Sequence, residues 1–547
     1  MYADLSTLMK IKPRILFVEN DPAARVSYQA LLMEWGYEPV LAMGRGNALR
    51  DHACAQAREK RCSLALIDLR LMDNDDETDI SGLTLAKDLR ADHPLIVPII
   101  LSGYESVQVL RILKDRPDIP FIGKQDRRSD IQEKLDKVAA QICAAKRNIE
   151  FLQTDVLADF MQSEFVGGME GYQDQIINVL ACMFPEAKTL RFERLLTSKD
   201  AVSSVARPNS IVLKVFEDGL EACVVKLARV EKIKKEAANF RKYILRKLTG
   251  NFNPQQIGKE ALSWEIGGIA YTFEGGKNAR TFTSYHKEQN LTNIRDVLSC
   301  FFLETWGKYY KPSGGKYDTP PTEIQGTSLY ALYSKTWGED WYKKCAKEIS
   351  AQTLRQIEPT LQKYNLPQPI EWIRQKLSNG NLEFSPVNSI LSAVTHGDLH
   401  GDNLLVDDRK NIWVVDFERC GEGHALQDFI ELEADIVNRL HGYDIIQPSY
   451  FKMCLNLLSQ VTISELGEAD TVSADAQIDK ALKTISVIRK LAAECFSKIN
   501  PREYLLGLMF NMLFRAFLVH KDDPQKSERS LVLAALICHR LDHWGDA

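Results

Sequence analysis

The sequence uses little cysteine and places it without pattern: eleven in 547 residues, from Cys54 to Cys538, with no CxxC pair. That spacing excludes a zinc ribbon and a disulfide framework, and the odd number fits a reducing compartment. An excess of one charge sign is lacking too. The 69 Lys+Arg set against 74 Asp+Glu leave a formal charge of −5, which provides no basic field for a nucleic acid. Long apolar runs are also missing. The opening residues, MYADLSTLMKIKPR, have no apolar core of the kind an export signal needs, and LLGLMFNMLFRAFLV is short and interrupted by Arg515. These absences predict a cytoplasmic protein with no nucleic-acid partner and no membrane span.

What is present is ordinary globular material, 45% hydrophobic and 26% charged. At roughly 100–200 residues per domain the length holds three or four folding units. From Arg14 to about Arg127, apolar runs (RILFV, YEPVLA, SLALIDL, LIVPIILSG, IPFIGK) alternate with amphipathic stretches such as PAARVSYQALLMEW, SGLTLAKDLRA and VQVLRILK. Strands that are apolar throughout, separated by helices, predict a five-stranded doubly wound parallel sheet covered on both faces. Ligands gather at the carboxyl ends of such strands. There the sequence places Glu19, Asn20 and Asp21, then Asp68, Ser102 and Lys124.

These residues resemble the receiver domain of two-component response regulators over about 115 residues. The resemblance implies that Asp68 accepts a phosphoryl group, that Glu19, Asp21 and Asp68 hold Mg²⁺, and that Ser102 and Lys124 grip the phosphoryl oxygens and switch the surface. It also implies a sensor histidine kinase or other phosphodonor as partner. Two features depart from the family. Asn20 stands where the family has its direct metal ligand, and the segment from Asp68 to Gly82 is long and carries DNDDETD. Those acids either repel an incoming phosphoryl donor or supply the replacement ligand.

Beyond Lys124, Ser129 and Gln132 form a capping-box pattern, and Ile131, Leu135, Val138, Ile142, Ala145, Ile149, Leu152 and Val156 recur at a period of 3.5. This seam fits either a coiled coil joining two subunits as a homodimer or one amphipathic helix lying on a neighbouring domain. A second helix, YQDQIINVLACMF, stops at Pro185.

From Thr189 the chain becomes strand-rich: TLRFERLL, a polar loop TSKDAVSS, SIVLKVFEDGLEACVVKLA with a turn at EDGL, the helical EKIKKEAANFRKYILRKL, and GIAYTFEGG. A strand lysine needs a carboxylate to hold its ammonium against nucleotide phosphates, which makes Lys226 and Glu236 the natural pair, with Lys214 as a rival. Farther on stands VTHGDLHGDNLLVDDRKNIWVVDFERCGEGHALQDF, a His, an Asp, an Asn and an apolar strand ending in Asp416. One carboxylate can deprotonate an acceptor hydroxyl while an amide oxygen and a second carboxylate hold Mg²⁺ on a nucleotide.

HGDLHGDN looks like the Brenner motif of the aminoglycoside phosphotransferase and choline kinase group within the protein-kinase-like fold. The resemblance implies ATP and Mg²⁺ as cofactors, Asp398 as catalytic, Asn403 and Asp416 as metal ligands, Lys226 on the phosphates with Glu236 positioning it, and Asp428 as a structural carboxylate. His396 reads as a scaffold. The loop before the second strand has no glycine, so Ser203 and Ser204, with Thr197 and Ser198, are the hydroxyls available to cradle phosphate. DFE replaces the DFG of protein kinases. Cys538, His539 and His543 read as a half-buried helix rather than a metal site.

The expected fold class is therefore α/β plus α+β: a receiver-like domain over residues 1–127, a helical connector over 128–188, a kinase-like N-lobe over 189–277 and a helical C-lobe over 278–547 with its catalytic loop at 396–403. The functional expectation is a receiver that regulates a Mg²⁺-dependent, ATP-using phosphotransferase acting on a hydroxyl of an unknown acceptor. The competing reading is a receiver–pseudokinase adaptor that binds nucleotide and partner proteins without phosphoryl transfer. Glu431, Glu433 and Asp435 offer a lure for a cationic substrate, or equally the faces of one helix.

Overall fold

The structure is a computed structural model that describes residues 12–547 except 74, 77, 94–95, 104–117, 158–171, 195–209, 221, 249–253, 273–278, 312–313, 315–318, 350, 379–388, 440–453, 456–457, 459–474, 497–499, 520–522 and 545–547. The stretch VQVLRILK and the hydroxyls Thr197, Ser198, Ser203 and Ser204 lie outside the described residues. The chain divides into two compact units. One holds residues 1–195, 203–234 and 256–273; the other holds 196–202, 235–255 and 274–547.

The first unit begins with a parallel sheet in the order β2-β1-β3-β4-β5: β1 Arg14–Val18, β2 Glu38–Leu41, β3 Leu64–Asp68, β4 Val97–Ser102 and β5 Phe121–Gly123. The order places β1 and β3 at the centre, and their unbroken apolar character follows from burial on both faces. Leu16, Val18, Ala65 and Ile67 face one core with α2 (Gly46–Glu59) and α3 (Ser81–Asp92); Ile15, Phe17, Leu64 and Leu66 face the other. The helix α1 (Pro22–Glu34) is capped by Asp21 and starts with a proline, whose missing N–H and fixed φ suit the first turn.

The expected seam from Ile131 to Val156 is not one helix. The helix α4 spans Arg128–Ala140 and buries Ile131, Leu135 and Ala139 in the second core of this same sheet. Its N-cap is Arg127 without a side-chain cap, and Ser129 bonds Asp130 instead of closing a box with Gln132. The chain then turns, with Asn148 and Gln153 at φ +52 and +56, and Glu150–Leu152 becomes β6. Ile149 and Val156 enter a different core, so the two halves of the seam serve two cores of one chain instead of forming one continuous coiled-coil stripe. The helix α4 thus packs on the parallel sheet, and the stretch 128–188 holds a strand, β6, between its two helices.

That strand pairs in parallel with β7 and completes a six-stranded sheet, β10-β11-β9-β8-β7-β6, from β7 Thr189–Arg194, β8 Ser210–Glu217, β9 Cys223–Arg229, β10 Gln256–Leu262 and β11 Ile266–Thr272. The EDGL turn between β8 and β9 has Asp218 at φ +48 and Gly219 at φ +76, the doubly left-handed geometry a two-residue hairpin requires. The helix α5 (Tyr172–Met183) covers one face. Arg147 fixes its end by donating to the carbonyls of Ala181, Phe184 and Ala187 at 2.6, 2.9 and 3.2 Å. The helix α6, Val230–Asn239, follows β9 and continues through a wider turn, Phe240–Ile244.

The second unit is mainly helical around two small sheets. After β12 (Arg280–Thr281) and β13 (Thr322–Gln325), its site elements are α7 (Phe282–Glu288), β14 (Ser389–Thr395), β15 (Leu404–Val406), β16 (Ile412–Val414), α8 (Gln427–Asn438), α9 (Ala476–Cys495), α10 (Pro501–Val519) and α11 (Pro524–Asp542). The helix α8 is buried over its whole length. Cys538 is fully buried in α11, while His543 lies at its exposed end.

Candidate functional site

Two sites emerge. In the first, three parallel strands deliver their end residues to one point. Lys124 Nζ lies 2.7 Å from Glu19 Oε2 and 2.8 Å from Asp68 Oδ1. Glu19 and Asp68 are buried, and burial, opposed by the adjacent ammonium, pushes the Asp68 carboxyl up to about 6. Lys124 is shifted up by its two carboxylates against the pull of burial. Ser102 is buried at the end of β4, its carbonyl accepting from Lys124 N at 2.7 Å.

Asp21 is exposed and caps α1, accepting from Ala23 N at 2.8 Å. The acidic insert folds on itself: Asp79 accepts from the amides of Met72, Asp73 and Ser81, Asp76 from Thr78, and Asp73 from Asp75. Among the described residues no cluster of three metal-ligating side chains forms. The carboxylates brought together at this site are Glu19 and Asp68, with the Lys124 ammonium between them, while Asp21 caps the helix beside them. The insert is pinned by Gly82, whose amide reaches Leu69 O at 2.9 Å, and a Cβ there would come within 2.0 Å of Asp68 O.

The second site is built on carboxylates that grip backbone. β14 delivers the chain to His396, and α8 lies beneath the loop that follows. Asp428 accepts from the amides of His396 at 2.7 Å and Gly397 at 2.9 Å, and from the Tyr310 hydroxyl. Glu431, one turn on, accepts from Leu399 N at 2.7 Å, and Asp435, one turn further, from Gly401 N at 2.8 Å. Residues spaced by three and four share a helix face, so a single helix immobilises four amides of the loop. Gly397, at φ +76, packs so closely that a Cβ would lie 2.6 Å from Arg419 O.

Within this frame Asn403 donates from Nδ2 to Asp398 O at 2.8 Å, which turns its amide oxygen outward as a hard acceptor. His396 is fully buried and its Nε2 donates to Val415 O at 3.0 Å, tying the loop to the strand end before Asp416. Asp416 has φ +71, a left-handed conformation an aspartate adopts at a cost, of order 1–3 kcal/mol. An amide oxygen and a carboxylate fit Mg²⁺, which binds through one or two such oxygens plus substrate phosphates. Glu236, buried on α6, accepts from Phe417 N at 3.4 Å, and Asn239 donates to Phe417 O and Glu418 O at 3.2 and 2.9 Å.

Lys226 lies in the other unit, buried at the middle of β9 opposite Val212 and Ile269, while Lys214 is buried on β8 with Glu193 as its cross-strand neighbour. The sequence reading missed Arg419, whose guanidinium stands 3.4 Å from Asp398 Oδ1. Its signal is a basic residue three positions after the metal-strand Asp416. The lure for a cationic substrate is withdrawn, because its acids are already engaged. Glu433 is fully buried against Arg489 at 2.5 Å and the Tyr504 hydroxyl at 2.6 Å, and Asp435 is held between Arg439 and Arg515.

Comparison with known proteins finds likenesses along both parts of the chain. Over 133 residues, 24% of this chain and 28% of the other, the sequence is 30% identical to the transcriptional regulatory protein ZraR of Salmonella typhimurium. The chain thus spans little more than a quarter of that curated relative. A CheY-like response regulator receiver domain from Methanospirillum hungatei superposes on 23% of this chain and 94% of its own at 24% identity and a TM-score of 0.20. An aminoglycoside phosphotransferase, APH(4)-Ia, in a ternary complex with ADP and hygromycin B, covers 60% of this chain and 90% of its own at 12% identity and a TM-score of 0.34. The family model described as "Ternary complex associated domain 9" matches residues 319–512. The chain is thus similar to receiver domains over its N-terminal part and to structures of the aminoglycoside phosphotransferase type over about 60% of its length. Among the described residues no helix is long and apolar enough to cross a membrane.

Proposed function

We propose that the protein is a signalling phosphotransferase of a reducing, cytoplasmic compartment. It moves a phosphoryl group from ATP, with Mg²⁺, to a hydroxyl, and its receiver-like domain, phosphorylated at Asp68 by a sensor histidine kinase or another donor, sets the rate. The observation that carries the reading is the rigid frame of the loop: Asp428, Glu431 and Asp435 hold its amides, and Asn403 Nδ2 donates to Asp398 O at 2.8 Å, which fixes the catalytic and metal-holding candidates side by side. In this role Asp398 takes the proton as the acceptor oxygen forms its bond to the γ-phosphorus and the bond to the nucleoside diphosphate breaks. Asn403 and Asp416 would hold Mg²⁺, which neutralises phosphate charge when bound.

Regulation has a physical route in bonds within the first unit. The β10–β11 turn inserts Trp264 against the base of the receiver sheet, donating to Cys62 O at 2.9 Å and stacking on His93 at 4.1 Å. Next to it Glu265 binds Arg61 at 2.8 Å and Gln175 at 2.6 Å, and its carbonyl accepts from Val230 N at 3.0 Å, the first residue of the helix that carries Glu236. A change in the receiver would thus reach α6 through one hairpin. The matched family's description adds a ternary complex as the setting we infer for the enzyme.

The test is nucleotide binding and ADP release by the full chain. Asp398→Asn should keep MgATP binding and lower turnover by a factor on the order of 10²–10⁴. Asp416→Ala should lose Mg²⁺-dependent binding as well. Equal loss of binding in both variants would remove the roles assigned to Asp398 and Asp416, and wild-type protein that binds nucleotide without turnover would favour the adaptor.

A further inference from the structure

We propose that the cavity beside the catalytic loop receives the phosphate acceptor, and that this acceptor is a small hydroxyl compound bearing an anionic group. The proposal rests on the phosphotransferase reading and names the substrate class of that same site. The cavity has a volume of about 390 Å³ and lies among α7, α9, the end of α8 and Gly401. It falls within the range of small-molecule pockets, ~300–1,000 Å³. Gly401 is three residues beyond Asp398, and a chain of three residues spans at most about 11 Å. A ligand filling the cavity therefore touches the same loop, no more than about 11 Å along the chain from the residue assigned to take the acceptor's proton.

The wall decides the chemistry. Among the described lining residues three are cationic, Lys287, Arg439 and Lys480, and one, Asp435, is acidic. The acid is not available to a cationic ligand: Asp435 accepts from Gly401 N and lies between Arg439, at 2.8 Å, and Arg515, at 3.3 Å. Arg439 also holds Asp402 at 2.7 Å. The two lysines come from different helices and are drawn together, Lys480 Nζ donating to Lys287 O at 3.0 Å. An ammonium so placed keeps further N–H donors for an anion. Burial lowers the Lys480 pKa, so an anionic ligand would restore the charge that burial disfavours. His286, on the same wall, is kept neutral, its pKa lowered to about 4 by burial, and is bonded to Thr484 at 3.0 Å. Phe282, Ile436 and Ala481 add apolar wall, suited to a carbon skeleton. A compound rich in amines would meet like charges here, at a cost in affinity.

The experiment is calorimetric titration of the full chain, without nucleotide, with glucose 6-phosphate, glycerol 3-phosphate and hygromycin B, beside an ADP-release assay. At least one phosphate ester should bind, and hygromycin B should bind more weakly. Lys480→Glu and Lys287→Glu should each weaken ester binding at least tenfold, and Lys480→Arg should keep it. Thermal unfolding of each variant identifies any that fail to fold, in which case Lys480→Gln replaces the reversal. Tighter binding of hygromycin B, no binding of either ester, or charge reversal without effect would overturn the proposal. Ester binding that resists Lys480→Glu places the anion elsewhere and also overturns it. Ester binding with no nucleotide turnover would refute the phosphotransferase reading, and with it the acceptor role, while leaving the charge preference of the cavity in place.

Discussion

The two sites use acidic residues in opposite ways. At the ends of the parallel strands, Glu19 and Asp68 converge on a single ammonium, and Glu19 also accepts from Asp21 N at 3.1 Å. On α8 the acids Asp428, Glu431 and Asp435 are spent on backbone amides in a fully buried helix, and no rearrangement short of unfolding would release them. The first arrangement suits a group that must exchange partners, as a switch does. The second suits a scaffold whose worth is rigidity. A count of acids per segment cannot tell these apart, because the distinction lies in what each oxygen accepts.

The sharpest way to break the comparison is at the scaffold. Asp428→Ala leaves two buried amides and the Tyr310 hydroxyl without an acceptor, and at ~1–3 kcal/mol for each unsatisfied group the loss should be on the order of 4 kcal/mol. Denaturant unfolding of the full chain should show it as a lowered midpoint for the transition of the second unit. A midpoint unchanged from wild type would mean the loop does not depend on α8.

At the switch the effect should be smaller and should depend on pH. Lys124→Met removes the ammonium shared by two buried carboxylates, and one of them should respond by binding a proton, with Asp68 titrating above its wild-type value of about 6. In wild type the reactive carboxylate forms as pH rises through about 6. Labelling of Asp68 by acetyl phosphate should therefore rise over the same interval and vanish in Asp68→Asn. Carboxyl-carbon NMR titration checks the first statement, and mass spectrometry the second.

A finer effect is expected from Glu431. Burial first, then its neighbours Asp428 and Asp398, raise this carboxyl to about 8 from its ordinary 4.5. The folded state then holds a proton the unfolded state has released, so stability should fall as pH rises from about 4.5 to about 8. Glu431→Gln should flatten that slope while keeping an acceptor for Leu399 N. An identical slope in both proteins would remove Glu431 from the account.

Much of this was legible in the sequence, and the reasons are local. Apart from Arg14 and Asp68, β1 and β3 are apolar because both faces are covered, so RILFV and LALID announce a parallel sheet, and Glu19 and Asp68 stand at the carboxyl ends of these strands. HGDLHGDN fixed the loop because few contexts call for that spacing. The seam from Ile131 to Val156 misled because a 3.5-residue period records which positions are buried and not against what. Ile131 and Leu135 satisfy it in one core, Ile149 and Val156 in another, and the turn between them rests on Asn148 at φ +52. Arg147, read as part of a helix, caps the end of a different one. Arg419 escaped notice because its partner Asp398 is 21 positions away.

The central claim is that the two phosphate sites are coupled, and one measurement addresses it most directly. ADP release by the full chain is followed with Mg²⁺, with and without beryllofluoride, in wild type, Asp68→Asn and Trp264→Ala. The account predicts a change of several-fold on adding beryllofluoride to wild type, no change in Asp68→Asn because the acceptor is gone, and no change in Trp264→Ala because the hairpin no longer reads the receiver. A turnover in wild type that ignores beryllofluoride, or a response that survives in Asp68→Asn, would contradict it.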